Sequence, residues 1–115
     1  MAEGSRGRVR FAVLRGGKHA AEDEWNSLPE ATQVRFIALF DRLMTVGEIV
    51  SEDQYKKLPG TDGLWEFKRS RVRILACHKE RDVVLLVIFM KGRQKLSKKD
   101  SKRAEAICAE EVGED

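Results

Sequence analysis

Residues 64–90 read LWEFKRSRVRILACHKERDVVLLVIFM, and this stretch decides the fold. Three strand-like runs follow one another in it, Leu64–Ser70, Val72–His78 and Val83–Met90. Lys79-Glu80-Arg81-Asp82 is a polar connection of hairpin length between the second and third. Val83 to Phe89 is apolar at every position, as a strand buried on both faces requires. A three-stranded meander is therefore predicted.

Working outward, Pro59-Gly60-Thr61-Asp62-Gly63 is a turn-rich stretch that closes an aperiodic segment from residue 48. Before it, Phe36, Leu39, Phe40 and Leu43 recur at helical spacing, widened by Val34, Ile37 and Met44 and stopped by Gly47. Ser27-Leu28-Pro29-Glu30 reads as the start of that helix, with Ser27 as its cap. His19–Trp25 suits a short helix, and Arg8–Leu14 a first strand ended by Gly16-Gly17. After the meander, Ser97–Val112 forms a helix whose weakly apolar face holds Ala104, Ile107, Cys108 and Val112. The order predicts one α+β domain over 1–115, with 1–7 and 113–115 as flexible ends. Its sheet is twisted and mainly antiparallel, of about four strands, with helices packed on one face.

A chain of 115 residues can bury a self-sufficient core without disulfide or metal staples. The longest apolar run, Val83–Met90, falls far short of the roughly 20 residues that a membrane span needs. With no signal-type apolar stretch near the start, a soluble cytoplasmic domain without membrane contact is expected. Cys77 and Cys108 have no metal-ligand spacing and read as free thiols in a reducing compartment. No metal site or cofactor is expected.

Charge is uneven. Residues 1–54 carry net −2, residues 55–103 net +10 and residues 104–115 net −5. Such a basic block usually tracks a polyanion, while a solvated face docking an acidic protein is the alternative. Within it, Lys68, Arg69, Arg71 and Arg73 are interleaved with apolar residues, and Lys91, Arg93 and Lys95 follow the third strand. Arg and Lys clustered on a rigid sheet can clamp a phosphate and stabilise charge that builds on it. Glu66 either works in that site or simply pairs across strands with a cation. Nucleophile elbows, phosphate-binding glycine loops and His-Glu-x-x-His are absent from the sequence. An enzyme built from these residues would act on phosphate. RNA suits it, since the 2′-hydroxyl is an internal nucleophile.

The series Lys57-Leu58, Leu64-Trp65-Glu66-Phe67-Lys68, Val72-Arg73-Ile74 and Phe89-Met90-Lys91, with Leu28-Pro29-Glu30 ahead of it, resembles RelE/HigB-type toxins. More narrowly, it resembles the phage-derived HigB-like branch of bacterial type II toxin–antitoxin systems. The resemblance implies a RelE-like fold and a metal-free endoribonuclease, an mRNA interferase, that cuts mRNA on the ribosome by 2′-hydroxyl attack. It implies Lys57, Arg73 and Lys91 as catalytic residues, with Lys56, Lys68, Arg71, Arg93 and Lys95 holding RNA phosphates and His78 as a proton relay. Lys68 stands where the family usually has Arg, and Gly92 where it often has a second Lys. The implied partners are mRNA, the ribosome and a cognate antitoxin with a helix-turn-helix DNA-binding domain. The alternative is a catalytically inactive RelE-like binding module that partners such an antitoxin or binds RNA.

Overall fold

The computed structural model describes residues 1–49, 51, 53–91 and 98–113. Its strands are β1 (Ala2–Gly4), β2 (Gly7–Phe11), β3 (Tyr55–Lys57), β4 (Trp65–Arg69), β5 (Val72–Lys79) and β6 (Asp82–Met90). Its helices are α1 (Glu22–Asn26), α2 (Glu30–Thr45) and α3 (Lys98–Glu110). One six-stranded sheet runs in the order β1-β2-β6-β5-β4-β3.

The predicted meander is β4-β5-β6. Arg69 pairs with Val72 and Lys79 with Asp82, so each turn holds only two residues. Ser70 and Glu80 take the left-handed backbone that such tight turns demand. β6 lies in the centre, flanked by β5 and β2, which explains its apolar character at every position. The β2–β6 pair is parallel and the other four are antiparallel. Gly7 opens β2 at a φ of 140°, and a Cβ there would lie 1.8 Å from the Arg81 carbonyl oxygen.

The sheet has six strands rather than about four. The two extra, β1 and β3, are three residues each, too short to show a period in sequence. β1 comes from residues 1–7, expected as a flexible end. Helices cover both faces rather than one. Trp25 of α1 and Phe36, Leu39, Phe40, Leu43 and Met44 of α2 pack on one face with Val9, Phe67, Ile74, Ala76 and Leu85. Phe40 meets Phe67 edge-on at 4.9 Å. Ala104, Ile107 and Cys108 of α3 pack on the other face with Leu75, Cys77, Val84 and Leu86. A hydrophobic face on a helix says that it packs, and not on which side of a sheet. Ser27 does not cap α2 either. Its hydroxyl donates to the Asp23 carbonyl at 3.0 Å and closes α1, while Pro29 leads into α2.

The end of α3 is tied to β2 by ionic bonds. Arg10 donates from Nε to Asp82 at 2.7 Å and from Nη1 to Glu111 at 2.9 Å. The same Glu111 oxygen accepts from the backbone N–H groups of Val13 (3.0 Å) and Gly113 (2.8 Å). Burial alone would raise the Glu111 carboxyl, but these donors and the Arg10 charge outweigh it and hold it down at about 2. Burial likewise disfavours the Arg10 charge, yet the bonds to Glu111 and Asp82 leave its pKa raised.

Cys77 and Cys108 were expected as free thiols; the structure pairs them in a disulfide, with Cα atoms 6.6 Å apart. Strand alternation turns Cys77 toward α3, and Cys108 lies one turn after the buried Ala104. The pair is separated by 31 residues. Closing a loop of that length contributes about 3–4 kcal/mol through the unfolded chain. Dithiothreitol is therefore expected to lower the melting temperature by about 10 °C or more, as calorimetry would read. An unchanged melting point on full reduction, verified by thiol counting, would exclude this contribution.

Candidate functional site

Cross-strand register sorts the cations by face. Lys68 is directly opposite Arg73, which is opposite Phe89, and Lys56 is opposite Glu66, which is opposite Leu75. Directly opposed residues point the same way, with Cβ atoms roughly 5 Å apart. Lys56, Glu66, Lys68 and Arg73 thus share the face that α3 covers further along. The Lys91 amide donates to the Arg71 carbonyl at 2.7 Å, which carries the β5–β6 pairing one step past Met90 and adds these two cations to that end of the sheet. The first two turns of α3 bring the exposed Lys98, Lys99, Lys102 and Arg103.

Two members of this face are buried without full partnership. Arg73 is 8% exposed. Its Nη1 donates to the carbonyls of Ser70 (2.7 Å) and Val72 (3.2 Å), which fix the guanidinium, while its Nε has no partner. Glu66 is 3% exposed and, among the described residues, shows no side-chain hydrogen bond or ion pair, though its carboxylate oxygens, unlike the Arg73 Nε, are not wholly shut off from solvent. A buried charge without a partner is costly in a structural role. An anchored guanidinium with an unused N–H can bind an oxyanion, and a nearby unpaired carboxylate can accept a proton.

Not every predicted residue joins them. Lys57 is opposite Trp65 and so lies on the α2 side of the sheet. His78 also lies on that side, near the opposite end of β5 from Arg73. Arg93 and Lys95 lie outside the described residues. His78 instead belongs to an aromatic group that sequence spacing does not reveal. Its Nε2 is 2.6 Å from the Tyr55 hydroxyl, and their rings are within 7° of parallel. Trp65 stacks on both, at 4.9 Å from Tyr55 and 5.1 Å from His78. Burial lowers the His78 pKa and raises that of Tyr55, which favours a neutral imidazole accepting from a neutral phenol.

The profile of the phage-derived protein Gp49-like family matches residues 23–108, about three quarters of the sequence. The chain belongs to that family. Gp49-like proteins are of the RelE/HigB toxin type. The fold is similar to a chain in the crystal structure of the archaeal RelE-RelB complex from Pyrococcus horikoshii OT3. The TM-score is 0.54 at 22% identity, over 76% of this chain and 97% of that one. Compared with proteins of curated function, the sequence matches none. The Gp49-like match runs from Asp23 in α1 to Cys108, so it includes every residue of the cation-lined face described above.

Two features of this Gp49-like chain escape a residue-by-residue reading. Lys56, rather than its neighbour Lys57, shares a face with Glu66, and only the register of β3 decides between them. Glu66 itself reads equally as a cross-strand ion-pair partner; its lack of one becomes visible only in three dimensions.

Proposed function

We propose that this protein is the toxin of a type II toxin–antitoxin pair and cleaves mRNA, acting in the cytoplasm on transcripts engaged by the ribosome. The observation that carries the reading is the buried, incompletely bonded Arg73 beside Lys68, Lys91 and the unpaired Glu66. In this reading the Arg73 guanidinium, held by Ser70 and Val72, clamps the scissile phosphate. Glu66 takes the proton from the 2′-hydroxyl, whose oxygen attacks phosphorus as the bond to the 5′-oxygen breaks. A lysine ammonium, Lys91 first among them, returns a proton to the departing 5′-oxygen, leaving a 2′,3′-cyclic phosphate. Lys56, Lys68 and Arg71 neutralise neighbouring phosphates. Lys57 and His78, on the other side of the sheet, would serve RNA binding rather than the chemical step.

Family membership and the likeness to a chain from a RelE-RelB complex support an antitoxin partner. A helix-turn-helix domain on that partner belongs to the same proposal.

The test is to map new 5′ ends on a translated mRNA after adding wild-type protein or Arg73→Ala/Lys91→Ala. Cuts made by the wild type and missing from a folded double variant are expected. Intact mRNA in the presence of folded, ribosome-bound wild type would exclude cleavage and leave the inactive binding module.

A further inference from the structure

The notable cation that the site above leaves unused is Arg69. It follows Lys68 on β4, so alternation turns it to the α2 side. There it lines a pocket of about 460 Å³ with Ala38, Leu39 and Arg42 of α2 and with Ile49, Ser51 and Gln54 of the segment leading into β3. Two arginines and, among the described residues, no carboxylate line this pocket. Among the described residues neither Arg42 nor Arg69 makes an ion pair. The Arg69 Nε is buried with no hydrogen-bond partner. A second pocket, of about 420 Å³ over Arg10 and Glu111, differs in kind: Arg8, Arg10 and Lys79 there are balanced by Glu80, Asp82 and Glu111.

Two like charges that share a pocket without a counter-charge repel one another, and a buried unbonded N–H adds a desolvation cost. A bound anion removes both penalties. The donor set selects the anion. Arg42, Arg69, the Gln54 amide and the Ser51 hydroxyl offer more N–H and O–H groups than the two oxygens of a carboxylate can use. A phosphate, with its extra oxygens, fits them better.

Position suggests where the phosphate comes from. β3 is the edge of the sheet; Gln54 of the pocket leads into it, its carbonyl accepting from the Lys68 amide at 2.9 Å, and along it the exposed Lys56 lies on the Arg73 face and the exposed Lys57 on the α2 face. We propose that the pocket of Arg42, Ser51, Gln54 and Arg69 is a phosphate site, and that it seats a backbone phosphate of RNA passing round the β3 edge from the Arg73 face. The RNA half of this proposal rests on the function proposed above; the phosphate half does not.

The side-chain Nε–Hε signal of Arg69 in a ¹H–¹⁵N spectrum reads the site directly. Inorganic phosphate, titrated to about 20 mM at constant ionic strength, is expected to shift that signal and the Ser51 and Gln54 amides saturably. Arg42→Ala should weaken this binding about tenfold, and because Arg42 is exposed, that variant keeps the test open if Arg69→Ala does not fold. No saturable shift, or an equal shift with sodium chloride, would overturn the site. In a second arm, a 12-nucleotide RNA is titrated into wild type and Arg42→Ala/Arg69→Ala across a salt series. A threefold to tenfold loss of affinity is expected, together with a shallower salt dependence. Saturable phosphate binding with unchanged RNA affinity would overturn the RNA assignment and give the pocket to free phosphate. Failure of cleavage leaves the phosphate titration readable, so the two readings fail separately.

Discussion

Arg73→Lys is expected to lower single-turnover cleavage of a translated mRNA at least 100-fold while weakening RNA binding only about threefold. The substitution keeps the positive charge and so keeps most of the attraction to the polyanion. What it removes is the planar fork, one arm of which is already committed to the Ser70 and Val72 carbonyls. An ammonium satisfying those carbonyls cannot also present the N–H that Arg73 leaves unbonded. Deleting one well-placed donor to a developing oxyanion costs roughly 10²–10³ in rate. Equal losses of rate and affinity would instead assign Arg73 to binding alone. Glu66→Gln is the companion variant, since it keeps the shape of the side chain and removes the base. A cleavage rate unaffected by it would return Glu66 to a purely structural role.

Glu111→Ala should be the most destabilising single substitution at the α3–β2 junction, costing about 3–5 kcal/mol as denaturant titration reads it. The Glu111 side chain is 1% exposed and that of Arg10 is 9% exposed. Removing the carboxylate therefore leaves the buried Arg10 with Asp82 alone as counter-charge and frees the Val13 and Gly113 amides at once. The same carboxylate imposes a pH dependence. Its folded pKa, about 2, lies below the ordinary value of 4.5, so the folded state binds fewer protons than the unfolded chain between the two. The stabilisation is complete above about pH 4.5 and is lost as pH falls toward 2, amounting to about 3 kcal/mol by linkage. Glu111→Ala should flatten that part of the stability curve. Parallel curves for variant and wild type would rule out Glu111 as its source.

The parts of the fold that sequence displays are those with a sustained period. The meander shows itself through alternation and two short polar connections, and α2 through Phe36, Leu39, Phe40 and Leu43. Strands of three residues carry no such period, so Tyr55-Lys56-Lys57 reads as loop until β4 pairs with it. The cation-lined face was legible because Lys68 and Arg73 alternate with apolar neighbours on adjacent strands. The choice between Lys56 and Lys57 depends on register, which shifts every side chain to the opposite face with one step. The partners of His78 lie 23 and 13 residues away in Tyr55 and Trp65, and those of Arg10 lie farther still. Long-range pairings of this kind have no local sequence signal, and the Cys77–Cys108 bond is another.

The clamp on Glu111 also sets a schedule for the chain as it is made. Arg10 emerges early, but its two carboxylate partners lie 72 and 101 residues further on. β2 has its central neighbour only when β6 exists, and the Val13 backbone donates to the Glu111 carboxylate and accepts from the Val112 amide only at the far end of α3. Contacts of such span form late because the intervening loop must first be closed. A partly synthesised chain can assemble the β4-β5-β6 meander and offer Asp82 to Arg10, yet it lacks the Glu111 carboxylate that completes the clamp at the end of α3. The molecule therefore completes its clamp only once residue 111 has been added, which makes the far end of α3 the last part of the fold to be secured.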